Sequence, residues 1–249
     1  MNSQPDDFSF SSIGVIQSPF TEKFGIPRQP RLTQSITSRI VLHKPFCDLD
    51  IVDQLTNSSH IWVLFVFSEC YQSGWKSKVR PPRLGGNQKI GVFASRSPFR
   101  PNPIGISAVE LVSIDKSGDC LSICVKGADL LNGTPVLDIK PYIPYSDKID
   151  EASNQLAESF TPLSHPIFFS ASAQKQCETH LLRTKESLSN MIEEVLRCDP
   201  RPAYQRSQAK EYGIRLYDYN IRWQISADRI DVLHIDTVNN DTVNSDPVL

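Results

Sequence analysis

The sequence contains no apolar run approaching the roughly 18 residues that a membrane-spanning helix needs. Met1 to Ser12 is polar and acidic, without the basic start and apolar stretch of a secretory signal, which points to a cytoplasmic protein with no membrane partner. Six cysteines stand at 47, 70, 120, 124, 177 and 198. No two are spaced Cys-x-x-Cys, and no histidine cluster accompanies Cys120 and Cys124. Reduced, mostly buried thiols are expected, with neither disulfides nor a metal site. Gly-x-Gly-x-x-Gly, a phosphate loop ending in Gly-Lys-Ser/Thr, His-Glu-x-x-His and Gly-x-Ser-x-Gly are all missing. A Rossmann cofactor site and hydrolysis by a metal or a serine nucleophile therefore have no local support. Negative charge is missing locally as well: between Glu69 and Glu110 there is no acidic residue.

That interval carries seven basic residues, Lys76, Lys78, Arg80, Arg83, Lys89, Arg96 and Arg100, although the whole chain has a formal net charge of −2. The small overall charge argues against indiscriminate nucleic-acid binding. A basic segment that also holds Trp75 and Phe99 reads as a local RNA-facing surface, the alternative being an ordinary solvated face. Within it, residues 91–105 contain prolines at 98, 101 and 103, each fixing its own φ and restricting the residue before it. Such a stretch cannot be a helix and makes a poor central strand. It reads as a stiff extended loop between strands at 90–94 and 106–112, aiming Arg96, Arg100 and Asn102 in set directions. Two guanidiniums and an amide so held suit an anionic, planar ligand. The alternative is a proline-stiffened crossover whose arginines are merely solvated.

At 249 residues, 39% apolar and 22% charged, the chain suits one large domain or a medium one with a small companion. Residues 8–18 and 36–42 pattern as strands, joined by a stiff loop at Pro27-Arg28-Gln29-Pro30. Asp48 is a candidate N-cap for a short helix reaching about Thr56. The most apolar run, 61–67, is too short for an ordinary helix and reads as a buried strand. Further strands fall near 106–114 and 120–126. Asn132-Gly133 marks a tight turn feeding 136–142, where Asp138, Lys140 and Tyr142 alternate onto one side. The fold class expected is mostly β: a single antiparallel β-barrel with a short helix over residues 1–147, followed by a small α+β C-terminal domain. Residues 148–166 read as a linker, 167–236 as the second domain and 237–249 as a disordered tail. Residues 173–198 pattern as one amphipathic helix with Cys177, Leu181, Leu188, Ile192 and Val195 inward. Strands are expected at 212–216, 221–225 and 232–235. Arg201, Arg206, Arg215, Arg222 and Trp223 either add RNA contacts or serve packing.

Pro27-Arg28-Gln29-Pro30, Ser59-His60-Ile61-Trp62, Arg80-Pro81-Pro82-Arg83-Leu84-Gly85-Gly86-Asn87, the 91–105 loop and the run from Asn132 to Tyr142 together resemble the TsaA-like (YaeB/TrmO) family of tRNA methyltransferases. Asp199-Pro200-Arg201-Pro202-Ala203-Tyr204 and Asn220-Ile221-Arg222-Trp223 resemble the extra domain of bacterial members. One departure is Asn132, in a turn that commonly reads Asp-Gly-Thr-Pro; the turn survives and a charge is lost. The resemblance implies a β-barrel that binds S-adenosylmethionine and works as a homodimer with the cofactor near the subunit interface. It implies methyl transfer to N6 of N6-threonylcarbamoyladenosine at position 37, beside the anticodon of threonine tRNAs. The cofactor contacts it implies are Pro27, Arg28, Gln29, Ser68, Glu69, Arg96, Ile106, Leu131, Asn132, Gly133 and Thr134. For the chemistry the chain offers Asp138 or Tyr142 to take the N6 proton and Lys140 or Arg100 to hold the threonyl carboxylate or a phosphate. Asn102, Lys76, Lys78, Arg80 and Arg83 would meet the tRNA anticodon loop. Two competing readings are a non-catalytic RNA- or nucleotide-binding barrel and a structural protein whose stiff loops form only a dimer interface.

Overall fold

The structure, a computed structural model, describes residues 7–81, 88–156, 160–201 and 210–238. Eight strands occupy its first unit: β1 (Gly14–Gln17), β2 (Thr37–Leu42), β3 (His60–Val66), β4 (Lys78–Val79), β5 (Ile90–Gly91), β6 (Ile104–Ser117), β7 (Cys120–Lys126) and β8 (Pro135–Pro141). Six of them close a barrel in the order β1-β2-β7-β6-β3-β8, every neighbour antiparallel, while β4 and β5 form a separate ribbon. Closure removes the unpaired edges that an open sheet would leave. Alternate residues fill the interior, among them Ile16, Ile40, Ile61, Val63, Val109, Leu121, Val125 and Val136, all essentially inaccessible to solvent. The 61–67 run is therefore buried on one side only: Ile61, Val63 and Phe65 point in, whereas Trp62 and Leu64 remain half-exposed.

The second unit is a four-stranded sheet of β9 (Ile167–Phe169), β10 (Glu211–Leu216), β11 (Tyr219–Ile225) and β12 (Ile230–Thr237), ordered β10-β11-β12-β9 with only the last pair parallel. Two short helices, α1 (Ser68–Tyr71) and α2 (Pro144–Asp147), belong to the first unit, while α3 (Ala171–Thr184) and α4 (Leu188–Arg197) supply the second unit's helical layer.

Several expectations need correction. The first strand starts only at Gly14, and Phe8 and Phe10 stand exposed. The short helix after Asp48 is instead a pair of 3-10 turns, Leu49–Val52 and Leu55–Asn57. Asp48 does cap the first by accepting from the Asp50 N–H, but Gln54 adopts a left-handed φ of 61° and stops it from continuing. The strand at 90–94 ends at Gly91, giving way to a 3-10 turn at Val92–Ala94. The single helix at 173–198 is two, because Lys185 ends α3 at φ 67° and Ser187 opens α4 by accepting from the Asn190 N–H. Leu181, within α3, is exposed because that helix turns Ala173, Cys177 and His180 inward. Of the six free thiols only Cys124 and Cys177 are buried, and Cys120 is exposed at a hairpin turn. Trp223 is core, stacked on Tyr212 at 5.0 Å between ring centroids, so it meets no RNA. Arg215 pairs with Glu22 and Arg222 with Glu211, while Arg201 forms a buried pair with Asp199 at 2.7 Å. Arg206 and residues 239–249 lie outside the described residues, and the expected tail boundary at 237 falls within β12.

Candidate active site

Three segments meet at one end of the barrel. The first is the β1–β2 connection, which carries Pro27, Arg28 and Gln29. Its Arg31 N–H donates to the Gly127 carbonyl at 2.8 Å, laying the loop on the chain leaving β7. Gly127 has a φ of +74°, and a Cβ there would stand 3.1 Å from the Arg31 Cα, so both backbone shape and space call for glycine. The second segment is Ala128 to Thr134. The Gly133 N–H donates to Ile16, the Asn132 N–H to Phe20, and the Asn132 side-chain oxygen accepts from the Ser18 N–H at 3.1 Å. Thr134 closes the turn by donating its hydroxyl to the Leu131 carbonyl at 2.7 Å. Asn132 and Thr134 thus hold the turn against β1 with neutral groups.

The third segment is the proline loop. Arg96 reaches across to the first segment, donating from Nη1 to Gln29 Oε1 at 2.6 Å. Arg100 does something else: its Nη1 donates to the carbonyls of Val92 at 3.2 Å and Ser95 at 2.7 Å, and its guanidinium covers the Phe93 ring. It braces the loop from within. The Phe67 N–H donates to the Pro103 carbonyl, which brings α1 alongside, and Lys23 pairs with Glu69 at 3.7 Å. Ser68 and Glu69 are thereby joined to the first segment. Lys76 lies against Phe99, its Nζ 4.3 Å from the ring centroid. Lys78 pairs with Gly91 across β4 and β5, so this basic stretch runs beside the proline loop with Arg80 exposed next to it. Asn102 is exposed on the same loop, and Arg83 lies outside the described residues.

Asp138, Lys140 and Tyr142 project from the outer wall of the barrel rather than its end. A bulge between β3 and β8 leaves Leu137 unmatched, so Val136 and Ile139 both face the interior and Asp138 faces out. Cross-strand register then puts Asp138, Leu64 and Ile106 in one outward row and Lys140, Trp62 and Ala108 in the next. Asp138 Oδ1 accepts from the Ile139 N–H at 2.8 Å and Oδ2 pairs with Lys140 Nζ at 2.8 Å. The Tyr142 ring sits 5.5 Å from that of Trp62, which is pinned by an indole N–H bond of 2.8 Å to Asp147 in α2.

One residue of the site escaped the sequence reading. Asp129 accepts a 2.6 Å bond from the buried Ser107 hydroxyl, and burial raises its pKa above the ordinary carboxylate value. The bond from Ser107 and the nearby Arg96 charge oppose that rise. Ser107 follows Ile106 on β6, so one strand presents Ile106 to the outer row and Ser107 to Asp129. The available signal was an acid set in the apolar run Ala128-Asp129-Leu130-Leu131. Among the described residues no three His, Cys, Asp or Glu side chains gather as metal ligands, and no helix is long and apolar enough to cross a membrane.

Residues 15–148 match the model of the tRNA-methyltransferase O N-terminal domain, and residues 162–238 match that of the TrmO C-terminal domain. The chain belongs to the tRNA-methyltransferase O family. It is 44% identical over 221 residues to an Escherichia coli (strain K12) protein named tRNA (adenine(37)-N6)-methyltransferase, covering 88% of this chain and 94% of the relative. A Pseudomonas aeruginosa protein named as an S-adenosylmethionine-dependent methyltransferase is 42% identical over 229 residues, 91% of this chain and 97% of its own. A crystal structure of TrmO superimposes with a TM-score of 0.77 at 36% identity, covering 92% of this chain and 99% of that one. The likeness therefore spans both units rather than the barrel alone.

Proposed function

We propose that this chain is an S-adenosylmethionine-dependent methyltransferase acting on N6 of adenine 37 in tRNA, and that its substrate there is N6-threonylcarbamoyladenosine in threonine tRNAs. The observation that carries this is family membership over both units, joined to an outward acid–lysine–tyrosine row two strands from Ile106. The three segments at the barrel end fit a ligand bearing both signs of charge. Asp129 is a desolvated carboxylate that a cation would relieve, and Arg96 offers guanidinium donors to an anionic or polar end. Pro27, Arg28, Gln29, Ser68, Glu69, Arg96, Ile106 and the Leu131 to Thr134 turn would hold the cofactor. When bound, S-adenosylmethionine supplies an electrophilic methyl carbon on a sulfonium, whose sulfur keeps the electron pair of the broken bond.

The protein's share is alignment and a place for the proton released from N6. Asp138 or Tyr142 is the proposed acceptor. Lys140 would hold the threonyl carboxylate, and the fixed Trp62 and Tyr142 rings suit a base unstacked from the anticodon loop. Lys76, Lys78, Arg80, Arg83 and Asn102 would meet tRNA, while Arg100 supports them through the loop. Exposed Tyr71, Trp75, Phe93, Ile104 and Ile106 form apolar surface near the site and support a homodimer, working in the cytoplasm where its substrate is found.

The deciding experiment is single-turnover methylation, at saturating S-adenosylmethionine, of tRNA with and without the threonylcarbamoyl group. The modified tRNA is expected to react and the unmodified one essentially not, since only the modified base brings a carboxylate that can engage Lys140. Equal rates would remove the carboxylate handle. Reaction with neither would leave a non-catalytic binding barrel.

A further inference from the structure

The β1–β2 connection, 19 residues from Ser18 to Ile36, contains none of the named helices or strands. Uncovered loops of this length lose entropy when a ligand orders them. Here the second unit holds the loop at both ends and in the middle. At the start, Phe20 bridges Leu216, the Tyr217 N–H donates to the Pro19 carbonyl at 2.7 Å, and the Thr21 hydroxyl donates to the Tyr217 carbonyl. In the middle, Gly25 at φ +95° lies so close to Ile214 that a Cβ would come within 3.2 Å of its Cγ2. Phe24 and Ile26 pack on the same core, in which Phe20 and Ile36 are wholly buried. At the end, Glu194 of α4 accepts from the Ser35 N–H with both oxygens, at 3.0 and 2.9 Å. Glu186 accepts from the Thr37 hydroxyl at 3.0 Å and from Tyr217 at 2.7 Å.

We propose that the C-terminal domain is the backing wall of the cofactor loop, with Glu194 as a positioning residue, so that its docking sets cofactor affinity. The proposal rests on the cofactor reading of Pro27, Arg28 and Gln29 given above. The wall holds these residues in place before ligand arrives, so binding no longer bears the whole ordering entropy. Glu194 lies in the second unit and bonds the loop through the Ser35 N–H, so its effect on ligand passes through the loop's position.

The test uses the full chain. Glu194→Ala is expected to speed hydrogen exchange across residues 20–36 in the ligand-free protein. It should weaken S-adenosylmethionine binding about tenfold by calorimetry, the scale of one lost bond to a charged group. Glu194→Gln, which still offers an acceptor to Ser35, should recover most of that loss. In turnover the KM for S-adenosylmethionine should rise with kcat at saturation retained. Should Glu194→Ala fail to fold, Thr37→Val removes the tether to Glu186 from the barrel side and is expected to act in the same direction. Faster exchange with unchanged affinity, or no change in exchange, overturns the proposal. Gln29→Ala and Arg96→Ala separate the two levels. If they weaken binding while Glu194→Ala does not, only the wall is refuted; if neither weakens binding, the cofactor reading falls and the wall with it.

Discussion

Arg96→Ala should remove most cofactor affinity and leave the fold standing. The side chain is exposed and donates to Gln29 on another loop at 2.6 Å. An exposed polar contact of that kind contributes about 0–1 kcal/mol to stability, so the melting temperature should move by no more than a few degrees. Once a ligand covers the pair, water no longer competes, and a charge-assisted bond is worth about 2 kcal/mol. That converts to a roughly 30-fold weaker Kd. A second effect adds to it: the Arg96 charge opposes the rise in the Asp129 pKa, so its loss lets Asp129 protonate more readily. The deficit should therefore widen as the pH is lowered. Calorimetric titration with S-adenosylmethionine at two pH values, beside a thermal melt, measures all three quantities. Arg96→Lys should recover part of the affinity, because it restores the charge but not the planar fork. Unchanged affinity in a folded Arg96→Ala protein would take Arg96 out of the site. A collapse of the melting temperature would recast it as a structural residue.

Asp129 is expected to make cofactor affinity fall as pH drops through its raised pKa, since only the ionised form attracts a cation; Asp129→Asn should flatten that profile in calorimetry. The sign for stability is opposite: the ligand-free fold holds this proton to a higher pH than the unfolded chain, so its buried charge destabilises above that pKa and the penalty is relieved in acid. Trp223→Ala, at a fully buried ring stacked on Tyr212, should cost about 3–5 kcal/mol, with a lowered melting temperature and early loss of protection in β10 to β12 by hydrogen exchange. Neutralising Lys76, Lys78 and Arg80 together should weaken tRNA binding and reduce its log–log salt slope by about 2, and an unchanged slope would leave them as solvated surface.

The barrel was legible because period-two alternation and a strong turn signal survive in short strands. β7 lies where the pattern put it, and Asp138, Lys140 and Tyr142 do share an outward side. Patterning could not show that β1 is only four residues long, because Phe8 and Phe10 look apolar whether or not anything covers them. The long amphipathic helix misled for a related reason. Its two halves nearly keep one period, and the left-handed Lys185 between them carries no glycine signal. Arg96 and Arg100 illustrate the limit for sites. Both sit on the same stiff loop, yet one reaches Gln29 while the other bonds its own loop's carbonyls, a difference set by the 3-10 turn at Val92. Asp129 and the two glutamates of the second unit depend on contacts distant in sequence, such as Ser35 with Glu194, for which no spacing rule exists.

The Asp138–Lys140 pair gives the proposed selectivity a physical route. At rest both carboxylate oxygens are engaged, Oδ1 by the Ile139 N–H and Oδ2 by Lys140. Each oxygen keeps a free lone pair, but a proton arriving at Oδ2 meets the positive charge of the ammonium until the lysine moves away. The backbone donor is fixed by β8, whereas the lysine sits on a flexible, largely exposed stem. An incoming threonyl carboxylate competes for that ammonium, and drawing it away would free Oδ2 at the moment the N6 proton must depart. Unmodified adenosine brings no such competitor and also holds its proton more tightly. Discrimination on this account arises in the chemical step, because the lysine proposed to recognise the modification also keeps its charge against the proposed base until the modification arrives.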